Sequence, residues 1–76
     1  MIDWKEFIES NPSVMTGKPV FTGTRITVEF VLERLAQGAT DTDLLNHYVG
    51  LRQEHLRAAL AYAAAVVRRD EVVFNS

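Results

Sequence analysis

Cysteine is absent from the 76-residue sequence, which excludes disulfides, thiol chemistry and cysteine-based zinc sites. Neither sign of charge dominates. Eight Lys and Arg against ten Asp and Glu leave −2, too little to hold nucleic acid by bulk charge, though compatible with a local basic patch. No run reaches the roughly 18 apolar residues needed to span a bilayer. Met1-Ile2-Asp3-Trp4-Lys5-Glu6 lacks the basic and apolar regions of a signal peptide, so a cytoplasmic chain without a membrane partner is expected. No Gly-rich phosphate cradle is present, and Ser10, Ser13 and Ser76 have no nucleophile-elbow context. His47 and His55 fall in separate helical segments, without carboxylates at metal-ligand spacing, and are expected at the surface or its boundary. Asp41/Asp43 and Glu29/Glu33 are accounted for by helix starts and solvated faces. The expectation is a chain with no cofactor, no metal and no enzymatic activity.

What is present is globular: 47% hydrophobic and 24% charged residues. Seventy-six residues make a single domain near the lower limit for a self-sufficient core. A chain of this size buries only about 60% of its unfolded surface, so oligomerisation is a natural supplement. The pattern divides the domain into an N-terminal arm and ribbon (1–27), a three-helix bundle (28–69) and a C-terminal tail (70–76).

The stretch Gly17–Val28 organises the rest. Gly17 and Gly23 admit positive φ, and Pro19 fixes an extended φ. Val20-Phe21 between them reads as a short β segment, Thr22-Gly23 turns the chain, Ile26 points inward and Thr27 caps a helix. Before it, Asp3-Trp4-Lys5-Glu6 has a loose capping-box spacing that starts one or two helical turns, with Trp4, Phe7 and Ile8 on one face. Asn11-Pro12 ends that element. Val14-Met15 is the expected first arm of a hairpin with Val20-Phe21 across Thr16-Gly17-Lys18.

A first helix is expected from Val28 to about Gln37, closed by Gly38, with Val28, Val31, Leu32 and Leu35 inward. A second begins at Thr40, with Asp43 three residues on, carries Leu44, Leu45 and Tyr48 inward, and is broken by Gly50. A third runs from about Arg52 to Arg69, with Leu56, Ala59, Leu60, Ala63, Val66 and Val67 as its core stripe. Two short helices, a Gly-containing turn and a longer third helix have helix-turn-helix spacing. From Ala58 to Val67 no charged residue occurs on any face. Two explanations stand: alanine covering exposed helix through its high propensity, or a buried protein interface. The second is the one adopted, with Trp4, Phe7, Ala58, Ala61 and Ala65 as the contact of a homodimer or higher homo-oligomer.

Gly17-Lys18-Pro19-Val20-Phe21, followed by Gly23-Thr24-Arg25-Ile26 and Val28, resembles the small bacterial domain-of-unknown-function family numbered 433. The similarity continues through Leu35-Ala36-Gln37-Gly38 and Leu44-Leu45-Asn46-His47-Tyr48 to Ala58-Ala59-Leu60-Ala61-Tyr62-Ala63. Members commonly carry a Pro after the tyrosine and a Ser or Thr capping the last helix, where this chain has Val49-Gly50 and Leu51-Arg52. The resemblance implies a mainly α fold, a short N-terminal arm or β-ribbon followed by a homeodomain-like three-helix bundle. It also implies the antitoxin half of a toxin–antitoxin pair, binding a nuclease-like toxin of PIN-like type and repressing its own operon. A DNA-binding regulator without a toxin and an oligomeric interaction module are the alternatives.

Three groups of residues are candidates for these contacts. On a DNA reader the exposed N-terminal face of the third helix enters the major groove. Here that face carries Gln53, Glu54 and Arg57, flanked by Arg52 and His55, with Arg52, Gln53 and Arg57 as the candidate contacts and Lys18 at the ribbon tip as a phosphate contact. Four arginines against Glu54 leave +3 over 52–69. Arg25, inside the turn, is expected as a strut bonding turn carbonyls or a carboxylate. Val72, Val73 and Phe74 are an apolar terminal segment that needs cover, either by pairing as a strand with the N-terminal ribbon of its own chain or a dimer mate or by ordering on a toxin, the second being adopted.

Overall fold

The Asp3 carboxylate accepts the Lys5 N–H at 3.1 Å and starts a single 3-10 turn at Trp4–Glu6 in the computed structural model, which describes residues 2–69. Strand β1 (Ile8–Glu9) follows and pairs antiparallel with β2 (Val20–Phe21), Ile8 opposite Phe21 and Glu9 opposite Val20. The ribbon is therefore present with a different first strand. Val14 and Met15 cannot serve because their backbone groups are spent locally. Asn11 carbonyl accepts the Val14 N–H at 2.8 Å, and the Val14 and Met15 carbonyls accept from Gly17 and Lys18 at 3.0 and 3.2 Å. Met15, Thr16 and Gly17 are consecutively left-handed (φ 50°, 55° and 85°), and the Ser10 hydroxyl donates to the Gly17 carbonyl. Ile8, buried beside exposed Glu9, supplies the alternation that a half-buried ribbon needs.

The turn after β2 is held by Thr24. Its hydroxyl donates to the Phe21 carbonyl at 2.8 Å and accepts the Ile26 N–H at 3.0 Å. Gly23 sits at φ 82°, a conformation in which a Cβ is strained. Thr27 then caps α1 (Val28–Ala36), accepting the Phe30 N–H at 3.0 Å, and the Val28 N–H returns to the Pro19 carbonyl at 3.0 Å. Helix α2 (Asp41–His47) opens with a full capping box between Thr40 and Asp43. Helix α3 (Gln53–Arg69) follows Leu51, which is buried.

Three helices behind a two-stranded ribbon reproduce the expected fold class. The core joins Ile8 and Phe21 of the ribbon to Val28 and Val31 of α1, Leu44 of α2, Leu51, and Leu56, Ala58 and Ala59 of α3. Each large member contributes about 1.5–3 kcal/mol by its burial. Helix α3 departs from expectation in its core stripe. Leu56 and Ala59 are buried, but Leu60, Val66 and Val67 are 55%, 38% and 63% exposed. The reason is length: seventeen residues of α3 cross nine of α1 and seven of α2, so past Leu56 the side of α3 that carries Leu60 and Val67 has no cover among the described residues, while Tyr62 on another side still packs against Trp4. The molecule is correspondingly elongated, 43 × 30 × 25 Å.

Candidate interaction site

Two apolar grooves flank α3. The first lies between α1 and α3. Val28, Leu32 and Ala36 stand at four-residue spacing on one side of α1, with Pro19 at one end and Tyr62 of α3 across from them, enclosing about 420 Å³. Glu29 and Glu33, also four apart, line the same groove. Tyr62 is held by an edge-to-face contact with Trp4, ring centroids 5.0 Å apart. Val66, one turn further along α3, is 38% exposed. The result is an apolar floor beside the carboxylates of Glu33 and Glu29, the latter already paired with Lys18.

The second groove, about 700 Å³, runs along the opposite side of α3 and is lined by Ile2, Glu54, Arg57, Leu60, Ala61 and Ala64. A third, polar hollow between the end of α1 and α2 includes Arg34, Asp43 and His47, but its polar groups are bonded to one another. Arg34 donates to Gln37 at 3.0 Å, the His47 ring lies 2.7 Å from the Asp43 carbonyl, and Asp43 closes the α2 cap. Those hydrogen bonds from Thr40 hold the Asp43 carboxyl below its ordinary range.

The expected site residues fall into different settings. Lys18 donates to Glu29 at 3.0 Å, with both side chains about half exposed, a pair worth about 0–1 kcal/mol. Gln53 donates to Asp41 at 2.9 Å, tying the start of α3 to the start of α2. Arg52 is exposed with Glu54 3.9 Å away, and Arg57 is exposed beside the second groove. Trp4 and Phe7 are half-buried against Tyr62 and His55 of their own chain. Ala61 and Ala65 are half-buried, whereas Ala58 is fully buried in the core, packed where α3 crosses it, and belongs to no surface. Gly17, Pro19, Gly23, Thr24 and Ile26 build the ribbon and turn described above. Arg25 is not the strut. Its side chain is exposed and makes no hydrogen bond or ion pair among the described residues, because the Thr24 hydroxyl already braces the turn. Val72, Val73 and Phe74 lie outside the described residues.

His55 overturns a second expectation, since it is buried rather than superficial, at 5% exposure. Its Nδ1 accepts the Arg52 N–H at 2.9 Å, and its ring meets Phe21 and Phe7 edge-on at 5.2 and 5.9 Å. It supplies the acceptor that a capping box draws from Glu or Gln at the same position, three residues into the helix. Burial, reinforced by the Arg52 charge, lowers its pKa below the ordinary 6.5. Among the described residues no helix is long and apolar enough to cross a membrane, and no three His, Asp or Glu gather as metal ligands.

Residues 8–63, most of this fold, match the family described as protein of unknown function (DUF433). The chain belongs to the DUF433 family. Among solved structures it is similar to a DUF433 member protein from Anabaena variabilis ATCC 29413, with a TM-score of 0.75 and 35% identity over 82% of this chain and 61% of that one. It is also 34% identical over 61 residues to the uncharacterized protein y4eO of Sinorhizobium fredii (strain NBRC 101917 / NGR234), covering 80% of this chain and 28% of the relative. The chain thus spans less than two thirds of either protein. The stretch shared with the family includes the Thr24 turn, the His55 cap and Tyr62, and so takes in most of the α1–α3 groove.

Proposed function

We propose that the protein is a non-enzymatic binding module, the antitoxin-like half of a two-protein pair, and that the α1–α3 groove receives a nuclease-like toxin of PIN-like type. The observation that carries this reading is the groove itself: an apolar floor of Leu32, Ala36 and Tyr62 beside Glu33 and the Lys18-paired Glu29. A protein that cleaves nucleic acid presents basic surface around its site, and a carboxylate-rimmed apolar groove complements it in charge and in contact. Operator DNA as a second partner rests on Arg52 and Arg57, because Gln53 is engaged with Asp41, Lys18 with Glu29, and His55 is buried.

Growth rescue tests the reading. The reading frame adjoining the gene is expected to encode a PIN-like nuclease, and its product is expressed with the wild-type protein or with variants carrying Ala36→Glu or Glu33→Lys. Both positions are exposed, so the variants are expected to melt as the wild type does. Each is expected to lose protection of growth, Ala36→Glu the more completely. Full protection by both variants would contradict the assignment of the groove.

A further inference from the structure

Residues 2–7 lie across α3 as a strap. Ile2 lines the outward groove with Leu60 and Ala61. Trp4 stands edge-to-face against Tyr62, ring centroids 5.0 Å apart, and Phe7 meets the His55 ring at 5.9 Å. His55 and Tyr62 are seven residues apart, two turns along one face of α3 and about 10 Å at 1.5 Å per residue. The strap is thus fastened to this face by two aromatic contacts, and one of them ends on a ring that can take up a proton.

Little else holds the strap. Its own bonds are local: the Asp3 carboxylate and carbonyl accept from Lys5 and Glu6 at 3.1 and 3.2 Å, and the Trp4 carbonyl accepts from Phe7 at 3.0 Å. The Phe7 carbonyl, accepting the Thr22 N–H at 2.9 Å, ties it to the ribbon. No ion pair joins it to α3 among the described residues. On the other side of His55 the packing is fixed. Phe21 is fully buried, its N–H is bonded to the Ile26 carbonyl at 3.0 Å, and β2 is paired with β1.

We infer that His55 is a proton-operated latch for the strap: the neutral ring holds residues 2–7 against α3, and the protonated ring releases them, drawing Trp4 away from Tyr62 and unbracing one wall of the α1–α3 groove. The neutral ring accepts the Arg52 N–H at 2.9 Å through Nδ1. An imidazolium has two donors and no acceptor, so that bond is lost. At 5% exposure little water reaches the new charge, and aromatic neighbours return less than hydration would. Arg52 opposes the charge and Glu54 favours it; burial and Arg52 prevail, and the pKa lies below the ordinary 6.5. The side chains that the strap and β2 set against the ring, Phe7 and Phe21, are uncharged, while Asp3, Lys5 and Glu6 of the strap and Glu9 of β1 are exposed. Moving Phe7 admits water to the ring and gives up only the strap's contacts, whereas moving Phe21 breaks the core. The strap is the side that yields.

The sign follows from linkage. The docked form has the lowered pKa and the released form the ordinary one. Docking is therefore indifferent to pH above 6.5 and weakens by up to about tenfold per pH unit below it, as far as the docked value. The consequence for the groove rests on its reading as the partner's site; the latch belongs to the chain alone.

Trp4 is the only tryptophan in the sequence, so its emission reports the strap directly. In the full chain, titration from about pH 8 to about pH 5 is expected to shift that emission to the red and to raise its quenching by acrylamide about twofold, while helical ellipticity is kept. The midpoint is expected below 6.5. His55→Gln keeps an acceptor without a titrating ring and should leave the signal flat, and His47→Gln, at the exposed histidine of α2, should keep the wild-type transition. Phe7→Leu weakens docking without changing the latch and should move the midpoint up toward 6.5. Thermal melts near pH 8 establish that each variant is folded. A flat wild-type signal, a transition that survives in His55→Gln or vanishes in His47→Gln, or a loss of helix together with the Trp4 change would overturn the inference. A strap that stays docked sinks the latch and leaves the groove assignment standing. A strap that is released as described, together with full protection of growth by Ala36→Glu and Glu33→Lys, sinks the groove assignment alone.

Discussion

His55 holds the start of α3 through a nitrogen that must be unprotonated. Its Nδ1 accepts the Arg52 N–H, and its ring lies against Phe7 and Phe21. Protonation removes the acceptor and places a charge among apolar neighbours beside Arg52. The folded pKa lies below the ordinary 6.5, so the folded state binds fewer protons than the unfolded state between those two values. The contribution is fully present above about pH 6.5 and is lost as pH falls toward the lowered folded value. Melting temperature is expected to drop through that window for the wild type. His55→Gln keeps an acceptor without a titrating ring and should flatten the profile, while His55→Ala should cost about 2–4 kcal/mol at pH 7 through lost cap and lost packing. Asp43 acts in a different window. Its carboxyl is held low by Thr40, so its contribution is lost only in more acidic solution than the ordinary carboxylate range, apart from the loss that begins below pH 6.5 at His55. The burial of His55 was not legible in the sequence, where a lone histidine has no marked environment. The absence of Ser, Thr, Asp or Asn at Arg52, with His55 three residues on, was the available sign that another side chain had to serve the helix start.

At the scale of elements, sequence and structure agree wherever a local rule is decisive. Thr27, Gly38 and the Thr40/Asp43 box fix the helix ends at their expected places because each bond is made within a few residues. Disagreement begins where two elements compete for one partner. Val14-Met15 and Ile8-Glu9 are both apolar enough to face Val20-Phe21, and only the left-handed turn at Met15–Gly17 removes the first from contention. The turn after β2 shows a similar exchange, with Thr24 holding the position expected of Arg25. Thr24→Val is therefore expected to destabilise by about 1–2 kcal/mol, since it deletes bonds to two partners in a half-buried turn, and Arg25→Ala to stay within about 0.5 kcal/mol. Chemical denaturation of the two variants decides between them. Equal losses would return the strut to Arg25.

For the molecule as a whole, the uncharged run Ala58–Val67 was visible as an anomaly, but its division into surfaces was not. Periodicity places residues on faces of one helix. It does not say how far neighbouring helices reach, and here α1 and α2 end while α3 continues. Ala58 lies where α3 still crosses the core, whereas Leu60 and Val67 lie in water and Tyr62 stands across from Leu32 and Ala36. The groove drew on α1 residues assigned only to a core stripe or a solvated face, which is why the contact residues expected from composition were mostly others. The central claim, that this groove is where a protein partner binds, is tested most directly by amide hydrogen exchange on the protein with and without the proposed PIN-like nuclease. The account predicts added protection over Val28–Ala36 and around Tyr62–Val66, abolished by Ala36→Glu. Protection confined to α2 and the start of α3, or no change in exchange at saturating nuclease, would contradict it.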